Sequence, residues 1–180
     1  MVFSIENLSV ALRPLSDEQG ANASVAVLLK LKNGKLHVLF VKRAENSSDP
    51  WSGQMAFPGG KQEAKDKDLK ETAVRETLEE TRMNLLRNCR FLGVMPAFQT
   101  ISKPEIKVLP FVILIEEEPA IHLNEKELEE YSWIPVEDLL RNRAKVKFSF
   151  GEFPAFIIGD AVIWGLTYRI VESLMDLFKA

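Results

Sequence analysis

The stretch RETLEE, at residues 75–80, places three glutamates directly behind one arginine. On a helix with about 3.6 residues per turn, Glu76, Glu79 and Glu80 stand at i, i+3 and i+4, so their carboxylates converge on one patch. Like charges at this spacing repel each other by roughly a few tenths of a kcal/mol. A hard divalent cation such as Mg²⁺ binds oxygen ligands and removes the repulsion. The spacing therefore predicts a metal site on one face of a helix.

The acidic patch is expected to face the protein interior. At about 100° per residue, Glu76 and Glu80 share a sector of the helix with three apolar residues. These residues are Leu69, Ala73 and Met83. Burying unpaired carboxylates is expensive, whereas a cation bound between them removes that cost. A solvated acidic helix face is the alternative interpretation of this stretch taken alone.

The remaining positions of the helix predict its neighbours. Val74 and Leu78 lie on the other side, so the helix offers apolar surface in two directions and is expected to be sandwiched between other elements. Arg75 stands four residues before Glu79, where its guanidinium can hold that carboxylate in one rotamer. We therefore include Arg75 in the predicted catalytic set.

A glycine turn, FPGG at residues 57–60, precedes this helix, and the whole passage resembles the Nudix box of the Nudix hydrolases. The family's usual box has a Gly, five residues and a Glu, then seven residues and Arg-Glu. It continues with an apolar residue, one more, Glu-Glu, one more, Gly and an apolar residue. The resemblance implies an α/β fold of the Nudix type, in a single domain of residues 1–180. This fold is an αβα sandwich whose mixed central sheet has the catalytic helix packed beside it.

The sequence departs from the usual box in its spacing and in two residue types. The segment from Gly60 to Arg75 is one residue longer than usual, so Asp66 or Lys67 falls where the first Glu belongs. Glu63 and Asp66 are the acids that could substitute for it. Two further positions differ, with Thr77 in an apolar slot and Arg82 in place of the late Gly. The metal-binding half of the box is nevertheless complete.

The resemblance also implies the metal ligands and the chemistry. Glu76, Glu79 and Glu80 would bind Mg²⁺ or Mn²⁺, and the backbone carbonyl of Gly59 would complete the shell. Because Mg²⁺ bridges phosphate oxygens, the expected substrate is a diphosphate attached to a larger group. Water would attack one phosphorus in line and break the P–O–P linkage, with no covalent nucleophile.

The general base is left open among three glutamates. In the family the base lies either within the helix or on a later loop, so Glu76, Glu127 and Glu130 are all candidates. The last two lie in NEKELEEYSWIPVEDLL, which resembles a region where an acid precedes a Trp-apolar-Pro step. An exposed helix start is the alternative interpretation of these acids. Trp133 is expected to pack in the core.

Basic residues near the glycine turn are candidates for binding the substrate. Arg43 and Lys61 could contact phosphate, although surface ion pairs would explain either one equally well. His37 and His122 are the only histidines, and neither has a metal-ligand spacing. Zinc catalysis and histidine-dependent acid–base chemistry are therefore not expected. His37 is interpreted as an ordinary strand residue.

Within the family, the stretches VKRA, GQMAFPGGK and IWGLTYRI, with the lengthened box, look most like the coenzyme A pyrophosphatase subgroup. That subgroup cleaves coenzyme A or its thioesters into 4′-phosphopantetheine and adenosine 3′,5′-bisphosphate. It usually carries an arginine and a histidine where this chain has ENSSDPWS, at residues 45–52. Another substrate, such as ADP-ribose, NADH or a nucleoside triphosphate, therefore stays open.

Two other classes of protein are less consistent with the sequence. An inactive nucleotide-binding regulator would have little reason to keep three mutually repelling carboxylates. A structural protein with an acidic surface would make the glycine turn and the inward-facing glutamates coincidences.

Composition suits one enzyme domain rather than a nucleic-acid or membrane protein. The chain has 180 residues, a formal net charge of -3 and no long run of lysine and arginine, so no nucleic-acid partner is expected. Cys89 is the only cysteine, which excludes an internal disulfide and favours the cytoplasm. No signal peptide and no membrane span are expected. By analogy with the family, the apolar N-terminal segment could contribute to a homodimer.

Hydrophobic periodicity and turn residues predict the surrounding elements. An Asn-Gly pair at residues 33–34 is expected to join two strands in a tight hairpin. The phenylalanines between residues 148 and 156, with Trp164, are expected in the core, with a base-stacking platform as the alternative. Strands are expected at 24–31, 35–41, 54–57, 91–98 and 107–116, and helices at 4–12, 135–142 and 160–179. The strand at 107–116 is nearly all apolar and is expected to be central.

Overall fold

A computed structural model describes residues 3–48, 52–117 and 119–179 of the chain. Within these ranges an eight-stranded mixed sheet forms the centre, and a separate three-stranded antiparallel sheet lies beside it. The helices are α1 (Ile5–Ala11), α2 (Leu69–Thr81), α3 (Val136–Arg141) and α4 (Gly165–Leu177). The central strands are β1 (Ala23–Lys32), β2 (Lys35–Arg43), β3 (Met55–Ala56), β4 (Gly59–Lys61), β5 (Cys89–Val94), β6 (Phe98–Gln99), β7 (Lys107–Ile115) and β8 (Leu128–Pro135). The small sheet contains β9 (Arg143–Phe148), β10 (Gly151–Ile158) and β11 (Ala161–Trp164).

The predicted hairpin is confirmed. Strands β1 and β2 pair antiparallel, with Leu29 opposite Val38. Asn33 and Gly34 both have positive φ angles, of 51° and 73°, as a two-residue type I′ turn requires. The helix expected at 4–12 is also confirmed as α1.

The central sheet separates two apolar layers. Strand β7 pairs parallel with β1 and antiparallel with β5, so it is central as predicted. On one face of the sheet, α2 covers a cluster that includes Leu28 and Phe111. On the other face, α4 and the small sheet cover a cluster that includes Phe40 and Phe156. The predicted αβα sandwich is therefore confirmed.

Helix α2 begins and ends with clear capping contacts. The side chain of Asp68 accepts a hydrogen bond from the Glu71 backbone N–H at 2.8 Å. Arg82 ends the helix in the left-handed region, with φ at 62°. This conformation favours glycine, which explains the family's usual choice at that position. Leu78 is 40% exposed, so the expected sandwiching of α2 is wrong and its outer side faces solvent.

Three predicted segments differ because strand pairing over long sequence distances overrides local patterns. The expected glycine turn contains β4, whose Gly59 and Gly60 pair with Val25 and Ser24. The strand expected at 91–98 divides into β5 and β6, with an irregular register around Gly93. The stretch with Glu127 and Glu130, for which an exposed helix start was the alternative interpretation, is instead a turn at Glu127 followed by β8, which pairs with β2.

The region after residue 142 contains the largest difference from the sequence prediction. The helix expected at 160–179 begins with β11, and α4 starts only at Gly165. The aromatic residues before it alternate along strands, so only Phe156 is fully buried. Phe150 is 68% exposed, and its aromatic neighbours are half-buried. Assigning this whole group to the core was therefore wrong.

Three further expectations concern Trp133, the loop at 44–52 and membrane-spanning helices. Trp133 is half-buried and packs against the apolar cluster under α2, close to its expected place. Residues 49–51, in the loop expected at 44–52, lie outside the described residues. No helix in the described part of the chain is long and apolar enough to cross a membrane.

Candidate active site

The acidic patch of α2 lies against the two glycines of β4. Glu80 is only 5% exposed, and the Gly59 N–H points at its Oε2 from 3.4 Å. A Cβ atom on Gly60 would lie 2.5 Å from Oε1 of Glu76, so only glycine leaves room for that carboxylate. A Cβ atom on Gly59 would overlap the carbonyl oxygen of Ser24 in β1. Gly59 is therefore required for the close pairing of β4 with β1, and Gly60 leaves room for the Glu76 carboxylate in its present position.

The carboxylates of Glu80 and Glu76 hold their protons more tightly than exposed glutamates do. Burial, reinforced by the charges of Glu76 and Glu127, raises the pKa of Glu80 to about 8. The Gly59 N–H and Arg43 act in the opposite direction but do not cancel the effect. Burial also raises the pKa of Glu76, despite its bond to Arg75. Two carboxylates that resist ionisation in isolation are suited to a cation that binds only their charged forms.

The donor set fits a hard divalent cation, although the side chains are not arranged as a finished cage. Among the described residues, no three His, Cys, Asp or Glu side chains already surround a common point. Glu79 is half-exposed, and its Oε2 lies 3.4 Å from Nη1 of Arg75. A change of rotamer would free this carboxylate to join Glu76 and Glu80. Oxygen ligands alone, with no cysteine or histidine among them, match Mg²⁺ or Mn²⁺ rather than zinc.

Arg75 is held by Asp66 from the side opposite the glutamates. Its Nε and Nη2 donate to the two Asp66 carboxylate oxygens at 2.9 and 2.8 Å. Thr72 Oγ1 and the Glu63 backbone N–H donate to the same carboxylate at 3.0 and 2.9 Å. These bonds hold the pKa of Asp66 well below its usual range and raise that of Arg75.

This geometry answers the question that the lengthened box raised. Asp66, and not Lys67, occupies the place facing Arg75, so the extra residue lies between Asp66 and Arg75. The carboxylate of Glu63 also approaches Arg75, at 3.4 Å, but it is half-exposed and makes a weaker ion pair. Meanwhile Nη1 of Arg75 donates to Glu76 Oε1 at 2.9 Å. The arginine therefore connects the buried aspartate to the acidic patch.

The two candidate bases outside α2 have different surroundings: Glu127 lies in the turn before β8, and Glu130 lies on that strand. The negative charge of Glu127 raises the pKa values of both Glu76 and Glu80, so Glu127 lies near the patch. Asn124 contributes to this arrangement, because its N–H donates to the Glu80 carbonyl at 2.8 Å and its Nδ2 to Glu127 Oε1 at 3.2 Å. No sequence pattern marked Asn124 as part of the site.

Glu130 lies on the other face of the central sheet. It stands opposite Lys42 on β2, and its Oε1 is 4.0 Å from the Lys42 Nζ. Strand alternation places Glu130 on the same face as Ile134, which belongs to the apolar layer under α4. The carboxylate is therefore directed away from α2.

The predicted phosphate contacts lie around the patch. Arg43, at the end of β2, is close enough to lower the pKa of Glu80. Lys61 follows the two glycines on β4 and is exposed, while its carbonyl accepts a bond from Arg75 at 3.2 Å. His37 lies near the opposite end of β2, beside the hairpin, as an ordinary strand residue.

We predict that Asp66→Asn weakens metal binding as well as folding. Without the aspartate charge, Arg75 is free to shift towards Glu76 and Glu79 and to compete with the cation. We expect the Mg²⁺ dissociation constant to rise about tenfold. The free energy of unfolding should fall by about 2 kcal/mol, because a buried arginine loses its charged partner. Calorimetric titration with Mg²⁺ and urea denaturation measure the two effects.

Glu63→Gln is the matched control for this variant. It removes the second carboxylate that faces Arg75, but from an exposed position, so its effect should stay below about 1 kcal/mol. Equal effects of the two substitutions on metal affinity would show that Asp66 has no special role.

We predict that the metal-free protein loses stability as the pH rises from about 5 to about 8. The raised pKa of Glu80 means that the folded chain binds this proton more tightly than the unfolded chain does. Raising the pH therefore favours unfolding until the pKa of about 8 is passed. Mg²⁺ binds the ionised form, so its binding at pH 7 should release protons. Titration calorimetry in buffers of different ionisation enthalpy measures this release.

Glu80→Gln tests the origin of the effect. It cannot ionise, so the fall in stability over this pH range should become clearly smaller. An unchanged pH profile in this variant would contradict the assignment to Glu80.

Comparison with known proteins agrees with the fold. The profile described as NUDIX domain matches residues 21–153. An uncharacterized protein of Schizosaccharomyces pombe is 35% identical over 154 residues, which cover 78% of this chain and 47% of that protein. The Homo sapiens mitochondrial coenzyme A diphosphatase NUDT8 is 28% identical, with 87% of this chain and 69% of that protein covered. The Caenorhabditis elegans peroxisomal coenzyme A diphosphatase ndx-8 is 30% identical, with 78% and 59% covered.

Solved structures share the same architecture. The NUDIX domain of Shewanella oneidensis NrtR, in complex with ADP ribose, superposes with a TM-score of 0.57 at 17% identity, covering 87% of this chain and 86% of that one. A MutT protein from Methanosarcina mazei superposes with a TM-score of 0.54 at 21% identity, covering 87% and 91%. At these identities the likeness concerns the fold alone. Because the family profile matches most of its length, this chain belongs to the Nudix hydrolase family, whose enzymes act on pyrophosphate bonds.

Proposed function

We propose that this chain hydrolyses the P–O–P bond of an adenine-containing diphosphate, with coenzyme A or an acyl-coenzyme A as the first candidate. The observation that carries the proposal is the buried carboxylate of Glu80, beside Glu76 and the Gly59–Gly60 strand. A carboxylate this deeply buried needs a positive partner when it ionises. In a family that acts on pyrophosphate bonds, a metal that also binds phosphate oxygens meets this need.

Mg²⁺ or Mn²⁺ would neutralise the phosphate charge and activate the attacking water. Glu76, Glu79 and Glu80 would hold the ion, together with the backbone carbonyl of Gly59. Arg75 would keep the glutamates aligned in the absence of the ion, since it already bonds to Glu76 and Glu79. No covalent nucleophile is required for this reaction.

We assign the general base to Glu127. Its charge acts on both Glu76 and Glu80, and Asn124 holds its carboxylate near the end of α2. A base in this turn before β8 can accept a proton from water on the open side of the patch without leaving the acidic cluster. Glu76 is less suited, because its carboxylate is engaged by Arg75 and lies against Gly60.

The substrate's phosphates would meet two cations beside the patch. Arg43 already acts on Glu80 electrostatically, and Lys61 is exposed directly after the glycines. Both can bind phosphate oxygens from outside the carboxylate cluster, where they would not compete for its ligands.

Two lines of support favour coenzyme A as the diphosphate. Relatives from Homo sapiens and Caenorhabditis elegans are named as coenzyme A diphosphatases. The stretches VKRA, GQMAFPGGK and IWGLTYRI resemble the same subgroup. Residues 45–52 lack the arginine and histidine usual there, so ADP-ribose and NADH are the nearest alternatives.

The decisive assay is Mg²⁺-dependent hydrolysis of a panel of diphosphates. We expect coenzyme A or an acyl-coenzyme A to be cleaved fastest among coenzyme A, ADP-ribose, NADH, diadenosine polyphosphates and nucleoside triphosphates. Glu79→Gln should lower kcat at least a hundredfold, because it removes one charged metal ligand. Chromatography of the products measures the rates.

Each other outcome has a definite meaning. Faster hydrolysis of another diphosphate would reject the coenzyme A assignment and keep the reaction. Tight binding of these compounds without hydrolysis at any Mg²⁺ or Mn²⁺ concentration would identify a nucleotide-binding regulator instead.

The base assignment gives a matched pair of variants, one just before β8 and one within it. Glu127→Gln should lower kcat about a hundredfold or more and remove the acidic limb of the pH–rate profile. Glu130→Gln, on the opposite face of the sheet, should leave kcat within about twofold. Comparable losses in the two variants would contradict the assignment to Glu127.

A further inference from the structure

A cavity of about 630 Å³ opens beside the β1–β2 hairpin, and we name it the basic cavity. Its volume lies within the roughly 300–1,000 Å³ that is typical of sites for small ligands. Most of its wall is basic, and a tryptophan and a proline form an apolar side. The lining residues include Lys30, Lys32, Lys35, His37, Trp133 and Pro135.

Strand register gathers the four basic side chains on one face of the hairpin. Lys30 and Lys32 are two residues apart on β1, so their side chains point to the same face. Lys30 stands directly opposite His37, and Lys32 stands directly opposite Lys35. Like charges directly opposite each other, as at Lys32 and Lys35, destabilise an antiparallel pair. An anion bound between the two strands would relieve this repulsion.

Lys30 is the most deeply buried of these four side chains. It is only 5% exposed, and its Nζ lies 4.2 Å from the centroid of the Trp133 ring. This cation–π contact holds the ammonium group over the ring face. The side chain of an exposed lysine, in contrast, moves freely in solvent. Lys30 therefore gives the wall of the basic cavity a positive charge in a fixed position.

The neighbouring carboxylate of Glu137 offsets part of the positive charge. Its Oε2 lies 3.7 Å from the Lys35 Nζ, but both side chains are exposed, so this ion pair is weak. His37 Nδ1 lies 3.1 Å from the Lys35 carbonyl oxygen, which fixes the ring at the cavity wall. Among the described residues that line the cavity, none is acidic. The electrostatic potential in the basic cavity is therefore expected to be positive.

The basic cavity is separate from the candidate active site. Strand β2 runs from Lys35 at the cavity to Arg43 at the acidic patch, which corresponds to about 26 Å along an extended strand. Strand β8 pairs along the same length, with Pro135 opposite His37 and Leu128 opposite Arg43. The phosphates of a substrate held beside Arg43 would therefore lie far from the basic cavity.

We propose that the basic cavity binds a small phosphorylated molecule as a second ligand of this chain. A phosphate group offers several acceptor oxygens, so it can accept charge-assisted hydrogen bonds from Lys32 and Lys35 at once. Lys30 contributes its charge from the wall, and Trp133 and Pro135 would contact the uncharged part of the ligand. This binding requires no metal and does not depend on the proposed hydrolysis.

A nucleic-acid backbone fits the basic cavity less well. Proteins that bind nucleic acid carry lysine and arginine along an extended patch or stripe. Here the basic side chains converge on one cavity at a single hairpin. The chain also has a formal net charge of -3, which disfavours binding of a long polyanion.

The test uses inorganic pyrophosphate as the probe. Chelating resin first removes divalent metals from protein and buffer, so no metal can hold the probe at the acidic patch. NMR follows the indole N–H signal of Trp133, with that of Trp164 on β11 as the internal reference. We expect a saturable shift of the Trp133 signal, which sodium chloride at the same ionic strength does not produce. Because the titration contains no metal, its result is independent of whether any diphosphate is hydrolysed.

Two double variants are compared with the wild type. Lys32→Gln/Lys35→Gln should bind pyrophosphate roughly tenfold more weakly, because it removes two charges that face the ligand. Both lysines are exposed, so the fold should be retained, which far-ultraviolet circular dichroism checks. The matched control is Lys145→Gln/Lys147→Gln, at two exposed lysines two residues apart on β9. It changes the net charge equally and should keep the wild-type affinity.

Three outcomes would overturn the inference. The first is a Trp133 signal that does not shift in the wild type. The second is an equal loss of affinity, or none, in the two double variants, because the cavity lysines would then have no special role. The third is tighter binding of a single-stranded oligonucleotide than of pyrophosphate, lost in Lys32→Gln/Lys35→Gln, which would assign the cavity to a nucleic-acid backbone.

Discussion

The burial of the Glu80 carboxylate is the constraint on which the rest of the site depends. The Gly59 N–H of β4 faces this carboxylate, and Gly60 leaves room for the neighbouring carboxylate of Glu76. The contact is unfavourable to an ionised glutamate, as its raised pKa shows. Metal binding would turn this disadvantage into affinity, because a cation is the partner that the buried charge lacks.

Arg75 forms ion pairs with the glutamates of the same site. An arginine beside three glutamates would neutralise them and exclude a cation if nothing else held it. Asp66 prevents this by binding the guanidinium through two hydrogen bonds from a nearly inaccessible position. Nη1 alone is left to touch Glu76 and Glu79. Asp66 therefore keeps Arg75 close enough to orient the glutamates. The hydrogen bonds to Asp66 also keep the guanidinium from taking the place of the cation.

The sequence predicted the parts of this arrangement that are local. Helix α2, the hairpin at Asn33 and the central strand β7 follow from periodicity and turn residues over a few positions. Strands β4, β8 and β9 could not be found in this way, because each is defined by pairing with a partner distant in sequence or by a weakly alternating pattern. The spacing likewise could not decide between Asp66 and Lys67, since only the folded loop shows which side chain meets Arg75.

The wrong prediction that the aromatic residues near 148–164 all lie in the core has the same origin. Counting apolar residues predicts burial, but strand alternation divides them between two faces, and only the Phe156 face meets the core. The acidic patch and its glycines lie within one contiguous segment, so a motif can describe them. The aromatic residues left outside the core lie on β9, β10 and β11, in a different part of the chain. Residues so far from the motif in sequence can change without disturbing the carboxylates, which is why family membership fixes the reaction more firmly than the substrate.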